Sequence, residues 1–343
     1  MSALLDLTRN VENEARCGPS PWRLCVAPMM DWTDRHCRYF HRLLSRHARL
    51  YTEMVTTGAL IHGDVARHLD FHRSENPVAL QLGGSDRGEL AHGARLGQRW
   101  GYVEINLNCG CPSERVQQGA FGACLMAEPA TVADCVKSMR DAVSIDVTVK
   151  HRIGIDRRDD YGFVRDFVGA VRAAGCSTFI VHARSAWLDG LSPKENREVP
   201  PLRYEAVHRL KGDFPDCTFV LNGGLAAADL VLSELRKVDG VMLGRAAYQS
   251  PWLLVQLERA LFGPDGAPSD VSDVVAAMSQ YLDSVVGAGV PVRAVSRPML
   301  GLLHGQRGAR TWRRLLSDAL FLEQYGRDTL RVAAARAAAP GSQ

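Results

Sequence analysis

Thirteen residues with chemically useful groups end or follow short apolar runs of this sequence. They are Pro28, Met29, Met30, Gln81, Asn108, Cys111, Lys150, His182, Asn222, Gly223, Gly224, Gly244 and Arg245. In a barrel of parallel strands, the carboxyl ends of the strands meet on one rim, where active sites are built. A single polar residue at a strand end usually has a structural explanation. Convergence from six or more strands instead indicates a functional site on that rim.

Two glycine-containing segments indicate a phosphate site. Asn222-Gly223-Gly224 follows the seventh apolar run, and Gly244-Arg245 follows the eighth. The loops after these two strands of a barrel commonly hold a phosphate, since small residues expose backbone N–H groups and arginine adds a cationic fork. Alternatively, the glycines only permit tight turns. We expect a cofactor or substrate that has a phosphate group.

Gln81 and Lys150 indicate a flat ring beside that phosphate. An amide and a cation can hydrogen-bond the edge of a heterocycle and stabilise negative charge on its reduced form. A phosphate and a redox ring together describe flavin mononucleotide (FMN). The spacing alone does not separate FMN from a phosphosugar or from pyridoxal phosphate.

The Gly- and Pro-containing loop 108–113 (NCGCPS) places a thiol, Cys111, over the predicted barrel mouth. This thiol could act as a nucleophile, a metal ligand or a proton donor. A nucleophile needs a neighbouring base, and His182 is two strands away. Cys109 and Cys111 lack a second Cys or His pair at zinc-ligand spacing, so we expect no metal site. Proton donation requires the thiol to stay protonated.

Eight β-strand signals alternate with helical periodicity over about the first 250 residues. The predicted strands are 24–30, 49–55, 77–82, 102–108, 147–152, 178–183, 218–223 and 240–245. This order predicts an α/β fold with a closed (β/α)8 TIM barrel. A doubly wound open sheet is the alternative, but no GxGxxG motif follows the first run.

The composition changes after Gly263, where the turn-rich segment 264–269 precedes helical periodicity. We predict an N-terminal arm (1–21), a barrel domain (22–263) and a smaller all-helical domain (264–343), with fraying from Val332. From Val290 onward the sequence has nine arginines and three acidic residues. Arginines around Trp312 favour nucleic-acid binding over a merely solvated helix surface, because arginine beside an aromatic ring suits phosphate contact and base stacking.

Composition describes a globular protein: 343 residues, 46% hydrophobic, 23% charged, with a net charge of +3. This near balance of positive and negative charge excludes a generally basic protein that coats nucleic acid, but it does not exclude a basic patch on one face. Nine cysteines without a paired framework favour a reducing compartment. The first 23 residues lack an apolar signal-peptide core, and no 18 apolar residues run together. We expect a cytoplasmic monomer that does not bind membranes.

The chain resembles the tRNA-dihydrouridine synthase family, and specifically its A-type branch, from about Trp22 to Ser317. The motifs include 27–34 (APMMDWTD), 108–113 (NCGCPS), 182–184 (HAR), 192–197 (SPKENR) and 308–314 (GARTWRR). The last two distinguish the branch. Cys109 departs from the pattern, where we expect an apolar residue.

The resemblance implies an FMN-dependent barrel with NADPH as the electron source. The residues implied to hold the flavin are Pro28, Met29, Met30, Gln81, Lys150, His182, Asn222, Gly223, Gly224, Gly244 and Arg245. It further implies reduction of the C5–C6 bond of uridine at positions 20 and 20a of the tRNA D-loop. Hydride would pass from reduced FMN to C6 and a proton from Cys111 to C5. The residues that the resemblance implies to contact tRNA are Asn108, Lys194, Arg197, Arg310 and Arg313.

Three alternatives remain beside this interpretation. An FMN-dependent oxidoreductase of a free pyrimidine, of the dihydroorotate or dihydropyrimidine dehydrogenase type, would share the phosphate motifs but would not need the arginine-rich helices. A tRNA-binding protein without catalysis would lack flavin. A phosphosugar isomerase or aldolase would explain the phosphate site but not Cys111.

Overall fold

The structure is a computed structural model that describes residues 20–339. Nearly all of the predicted N-terminal arm (1–21) therefore lies outside the described residues, as do residues 340–343.

Nine parallel strands occupy the eight strand positions, or staves, of a closed barrel, which confirms the predicted fold class. The strands are β1 (Leu24–Val26), β2 (Arg49–Tyr51), β3 (Val55–Thr56), β4 (Val78–Gly83), β5 (Glu104–Cys109), β6 (Asp146–Arg152), β7 (Thr178–His182), β8 (Thr218–Asn222) and β9 (Gly240–Leu243). β2 and β3 both pair with β4 and form one stave, and pairing of β1 with both β2 and β9 closes the ring.

The second stave is interrupted, whereas the sequence predicted one strand over 49–55. At the break, the Thr52 hydroxyl accepts a hydrogen bond from the backbone N–H of Gln81 at 3.0 Å. The same hydroxyl donates to the carbonyl of Glu53 at 2.7 Å. A side chain thus takes the place of a backbone partner in the ladder.

Helices surround the barrel and continue beyond it. They are α1 (Arg35–Leu44), α2 (Thr57–His62), α3 (Val65–Leu69), α4 (Arg87–Trp100), α5 (Glu114–Gln118), α6 (Pro129–Ala142), α7 (Tyr161–Ala173), α8 (Tyr204–Asp213), α9 (Ala228–Glu234), α10 (Arg245–Gln249), α11 (Trp252–Phe262), α12 (Val271–Val286), α13 (Val292–Ser296), α14 (Ala309–Ser317), α15 (Ala319–Tyr325) and α16 (Thr329–Ala338). Short 3-10 helices span Arg73–Glu75, Gly122–Ala127, Glu195–Arg197, Pro264–Gly266, Arg297–Gly301 and Gly326–Asp328.

Strand alternation on β5 separates the polar interior of the barrel from its apolar outer layer. Asn106 and Asn108 point inward and form buried side-chain hydrogen bonds. Leu107 and Cys109 belong to the apolar cluster that includes the surrounding helices, and both are fully buried. Burial raises the pKa of the Cys109 thiol. Cys109 therefore takes an apolar core position on the side of β5 away from the barrel interior.

The helical C-terminal part packs on α1. Tyr281 of α12 stacks on Tyr39 with ring centroids 3.9 Å apart, and its hydroxyl lies 2.8 Å from Nδ1 of His36. Asp270 and Asp273 form a capping box at the start of α12, which satisfies its first N–H groups. The two Tyr281 contacts fix the helical part against the barrel.

One expectation about the helical part is wrong. Trp312 is fully buried, and its indole N–H donates to the carbonyl of Met299 at 2.8 Å, so this ring cannot stack on a base. The amphipathic face of α14 turns the ring inward together with Leu315. The segment from Val332, where a fraying helix terminus is predicted, is helical to Ala338, and Ala333 and Ala337 pack in the core.

Within residues 20–339, no helix has the length and hydropathy required to cross a bilayer. In the same part of the chain, no three His, Cys, Asp or Glu side chains are grouped as metal ligands. The eight cysteines in this range are all free thiols.

Candidate functional site

The predicted site residues from seven staves do meet on the carboxyl rim of the barrel. Pro28, Met29 and Met30 follow β1. Five residues lie within strands: Gln81 in β4, Asn108 in β5, Lys150 in β6, His182 in β7 and Asn222 in β8. The remaining residues lie beyond strand ends: Cys111, Gly223, Gly224 and Gly244 are in loops, and Arg245 begins α10. Strand register places Asn108 opposite Lys150, and His182 opposite Asn222. Met30 is 55% exposed, so the rim is accessible at this side.

A column of hydrogen-bonded side chains supports the rim from inside the barrel. Thr148 donates to Glu104 at 2.5 Å and accepts from Asn106 at 2.8 Å. Gln81 donates to Asn106 at 2.7 Å and accepts from the amide of Asn108 at 2.8 Å. Gln81 thus uses much of its hydrogen-bonding capacity within the protein, and one amide N–H remains for a ligand.

Asn108 also fixes the loop that holds Cys111. Its Oδ1 accepts the backbone N–H of Cys111 at 3.0 Å, and the Cys111 carbonyl accepts from Ala123 at 2.9 Å. A Cβ on Gly122 would lie 2.6 Å from that carbonyl oxygen, so only glycine permits this approach. The Cys111 thiol is half-buried, 3.6 Å from the Ser113 hydroxyl. The loop therefore presents a partly accessible thiol at a fixed position.

Lys150 provides a partly buried cation at the rim. Among the residues that the structure describes, its ammonium group forms no hydrogen bond or ion pair. Burial, assisted by the nearby charge of Arg152, lowers the pKa of Lys150 to about 8. The same causes hold the pKa of His182 well below its ordinary value, so its imidazole is neutral near pH 7. The rim can thus accept an anion.

The lowered pKa of Lys150 predicts a pH-dependent stability. Between pH 8 and 10.5 the folded protein binds fewer protons at this residue than the unfolded chain, so this residue makes the free energy of unfolding rise with pH. We expect a contribution of at most about 1.4 kcal/mol per pH unit, absent from Lys150→Met. Urea unfolding of both proteins, without added ligand, at about pH 8 and about pH 9.5 measures it. Parallel pH profiles would disprove the shift.

The glycines after β8 adopt backbone conformations that require them. Gly223 has φ +112° and Gly224 has φ +69°. A Cβ on Gly224 would lie 2.4 Å from Cδ1 of Leu202, and one on Gly223 would lie 2.7 Å from the His182 ring. Tyr204 donates to the Gly223 carbonyl at 2.6 Å and holds the turn. The turn after β8 is therefore held in one conformation by defined contacts.

The end of β9 is open on the side of Gly244. A Cβ placed there would have no atom within 4 Å, so space for a ligand exists beside this residue. Arg245 is predicted to add a fixed cationic fork here. Its guanidinium pairs with Glu198 at 2.5 Å and donates to the Arg197 carbonyl at 3.4 Å. Any anion that uses Arg245 has to share it with Glu198.

Arg152 is a residue whose role the sequence did not reveal. Its buried guanidinium donates to the carbonyl of Gly110 at 2.9 Å, of Ser185 at 3.0 Å and of Asn196 at 2.8 Å. It therefore joins the Cys111 loop to the long loop after β7. The signal available was its position two residues after Lys150, on the same inner face of β6.

The loop after β7 presents Lys194 and Arg197 to solvent. Asn196 between them is fully buried and donates to the carbonyls of Trp187 and Leu191 at 2.8 and 3.1 Å. Trp187 is 46% exposed beside them. One internal asparagine thus fixes a surface that has two cations and an aromatic ring.

Arg310 and Arg313 lie away from these loops, exposed on α14. Within the described part of the chain, eight arginines of the helical part are exposed and form no ion pair with an acid. They are Arg293, Arg297, Arg307, Arg310, Arg313, Arg314, Arg327 and Arg336. This surface has uncompensated positive charge, which attracts polyanions.

The chain is similar to known proteins over most of its length. The model of the family described as "Dihydrouridine synthase (Dus)" matches residues 25–339. The chain is 56% identical over 298 residues to a "tRNA-dihydrouridine(20/20a) synthase" of Salmonella typhimurium, covering 87% of this chain and 90% of the relative. It is 56% identical over 310 residues to the protein of that name from Pseudomonas putida, covering 90% and 92%. The Escherichia coli K12 protein is also 56% identical, over 297 residues, covering 86% of each chain.

Proposed function

We propose that this chain, which belongs to the dihydrouridine synthase family, reduces uridine to dihydrouridine in tRNA. It is an oxidoreductase that acts in tRNA processing. We further propose that it reduces the uridines at positions 20 and 20a, the positions in the names of its relatives. The single observation that supports this best is the combination of the Cys111 loop at the barrel rim with a surplus of arginines on the adjoining helices.

Enzymes of this family are generally flavin-dependent, and the rim residues fit FMN. Lys150 has no hydrogen-bond or ion-pair partner within the part of the chain that the structure describes, which suits an anionic ligand. The open space at Gly244 and the fixed turn at Gly224 suit a phosphate. We propose that the eleven residues named for the flavin in the sequence hold it, with NADPH as the electron donor. Bound FMN would supply the hydride that adds to uracil C6.

The residues of the chain provide the remaining chemistry. Cys111 holds a proton at Sγ for C5 of the uracil, which completes reduction across the double bond. Asn108 uses its Oδ1 to fix the Cys111 backbone and retains one amide N–H for the substrate. Arg152 keeps the Cys111 loop and the loop of Lys194 and Arg197 at a constant distance.

The helical part is proposed to bind the tRNA. The target base has to leave the folded RNA to reach the rim, which costs unstacking energy. Phosphate contacts by Lys194, Arg197, Arg310 and Arg313 would offset that cost, since none of the four has an acidic partner among residues 20–339. We propose the domain division 22–263 and 264–343 on this basis, and a cytoplasmic monomer as the working unit.

Dihydrouridine mapping in tRNA tests the proposed function. In a strain that lacks this gene, we expect positions 20 and 20a to contain unreduced uridine, and expression of the chain to restore dihydrouridine there. Unchanged dihydrouridine at both positions in the deletion strain would contradict the proposal.

Gly224→Ala is expected to weaken flavin retention. The new Cβ meets Leu202 and forces a left-handed conformation on an L-residue, at a cost of about 1–2 kcal/mol. The measurement is flavin absorbance per protein after gel filtration. Gly101→Ala is the matched control, because Gly101 has φ +94° with open space around it and lies at the opposite end of the barrel. Equal flavin loss in both variants would show that strain alone is responsible.

A further inference from the structure

A cavity opens between the barrel rim and the helical part, outside the flavin and Cys111 residues. It encloses about 300 Å³. Asp31, Trp32 and Tyr248 line it from the barrel side, and Arg293 and Arg297 line it from the helical side. This volume is at the lower end of the range for ligand sites, about 300–1,000 Å³, and fits one nucleotide.

The barrel side of the cavity provides an aromatic surface. Trp32 and Tyr248 stack with ring centroids 4.5 Å apart and planes at 24°. Trp32 is held in a tight turn, because its backbone N–H donates to the Met29 carbonyl at 3.0 Å. The backbone N–H of Asp31 in the same turn donates to the Glu53 carboxylate at 2.5 Å. Unlike the buried Trp312, Trp32 is partly accessible. An ordered, accessible indole is the kind of group on which nucleobases stack.

The helical side provides two cations. Arg293 and Arg297 are four residues apart, so they lie on the same side of the chain one turn apart. Both are exposed, and neither has an ion pair among residues 20–339. A phosphate between them would replace solvent as their partner.

The two acids of the cavity lie on the opposite side. Asp34 uses Oδ1 to accept the N–H of Cys37 at 2.8 Å, while Asp31 is exposed. Their negative charge disfavours a phosphate at the barrel side and leaves Asp31 to accept from N–H groups at the edge of a base. The charges therefore orient a nucleotide, with its base toward Trp32 and its phosphate toward the helices.

We propose that this cavity binds one nucleotide of the tRNA that flanks the uridine to be reduced, with the base against Trp32 and the phosphate between Arg293 and Arg297. The inference rests on the proposed function. It assigns to Trp32, Arg293 and Arg297 the task of holding the RNA strand where the target base leaves it.

The test is tRNA binding by the flavin-loaded protein, with unmodified tRNA transcript as the probe. Trp32→Ala should raise the Kd roughly 5- to 150-fold, the range for loss of one base stack, and Trp32→Phe should restore most of the affinity. Arg293→Ala/Arg297→Ala should lower the slope of log Kd against log salt by about 0.7, as expected for one lost phosphate contact on a single strand.

Matched controls exist on α4, at the opposite end of the barrel. Arg95 and Arg99 are also exposed, four residues apart and without ion pairs within the described range, and Trp100 is 36% exposed. Arg95→Ala/Arg99→Ala and Trp100→Ala should leave the Kd and the salt slope unchanged. Flavin absorbance per protein verifies that each variant is loaded. If Trp32→Ala loses flavin, the Kd of Trp32→Phe and the salt slope of Arg293→Ala/Arg297→Ala provide the test instead.

The competing occupant is NADPH, which also consists of nucleotides. Unchanged tRNA affinity and salt slope in the arginine variant would overturn the inference, as would a rise in the KM for NADPH with normal tRNA affinity. Failure of the inference is separable from failure of the proposed function, because the wild-type protein would still form dihydrouridine.

Discussion

Cys111→Ala is expected to lower the rate of dihydrouridine formation by a factor of about 100 to 10,000, while flavin remains bound. The physical reason is that a positioned acid typically contributes this much to a proton-transfer step. The thiol is presented on a fixed loop at the rim, and alanine leaves the Asn108 contact to the loop backbone intact. Single-turnover reduction of unmodified tRNA by the prereduced protein measures the rate.

Cys109→Ala is the matched control for this prediction. Cys109 is two residues away but fully buried on the outer side of β5, so its loss should leave the rate near that of the wild-type protein. Near-normal turnover in Cys111→Ala would remove Cys111 from the role of proton donor. Equal loss in both variants would indicate damage to β5 rather than to the chemistry.

Glu104→Ala is expected to lower the free energy of unfolding by about 3–5 kcal/mol. Glu104 is fully buried at the amino-terminal end of the barrel interior. Its carboxylate accepts from Arg49 at 2.7 Å, Tyr51 at 2.8 Å, Trp22 at 2.9 Å and Thr148 at 2.5 Å. Among residues 20–339, removing it leaves Asp146, at 3.9 Å, as the only acidic partner of the buried Arg49 guanidinium. Urea unfolding measures the change.

Asp70→Ala provides the comparison for a surface pair. Arg35 and Asp70 form an ion pair at 2.7 Å, but the two side chains are 41% and 49% exposed. Such pairs contribute about 0–1 kcal/mol, because water screens them and both side chains lose entropy. A loss in Glu104→Ala no larger than that in Asp70→Ala would contradict the account of the barrel interior.

Local sequence patterns were sufficient for the staves of the barrel and for the rim. The strands are short apolar runs bounded by turn residues, and their carboxyl ends have the polar residues that the fold brings together. Cys111 was identifiable because Gly110 and Pro112 mark its loop. Cys109 was the exception, and its burial among outer-layer residues now explains it as core packing.

The remaining features depend on contacts distant in sequence. Arg152 donates to three backbone carbonyls in two loops, and a carbonyl has no sequence signature. Trp312 was expected to be accessible because arginines flank it, yet the helix period turns it into the core. The pairing of Arg245 with Glu198 joins residues 47 positions apart, which no local pattern predicts.

The most direct measurement is anaerobic reoxidation of the NADPH-reduced flavoprotein, followed by its absorbance, after addition of either unmodified tRNA or free uracil. The account predicts rapid reoxidation by tRNA with stoichiometric dihydrouridine in the RNA, and little reaction with uracil. A purified protein without flavin absorbance, or one that uracil alone reoxidises rapidly, would contradict it.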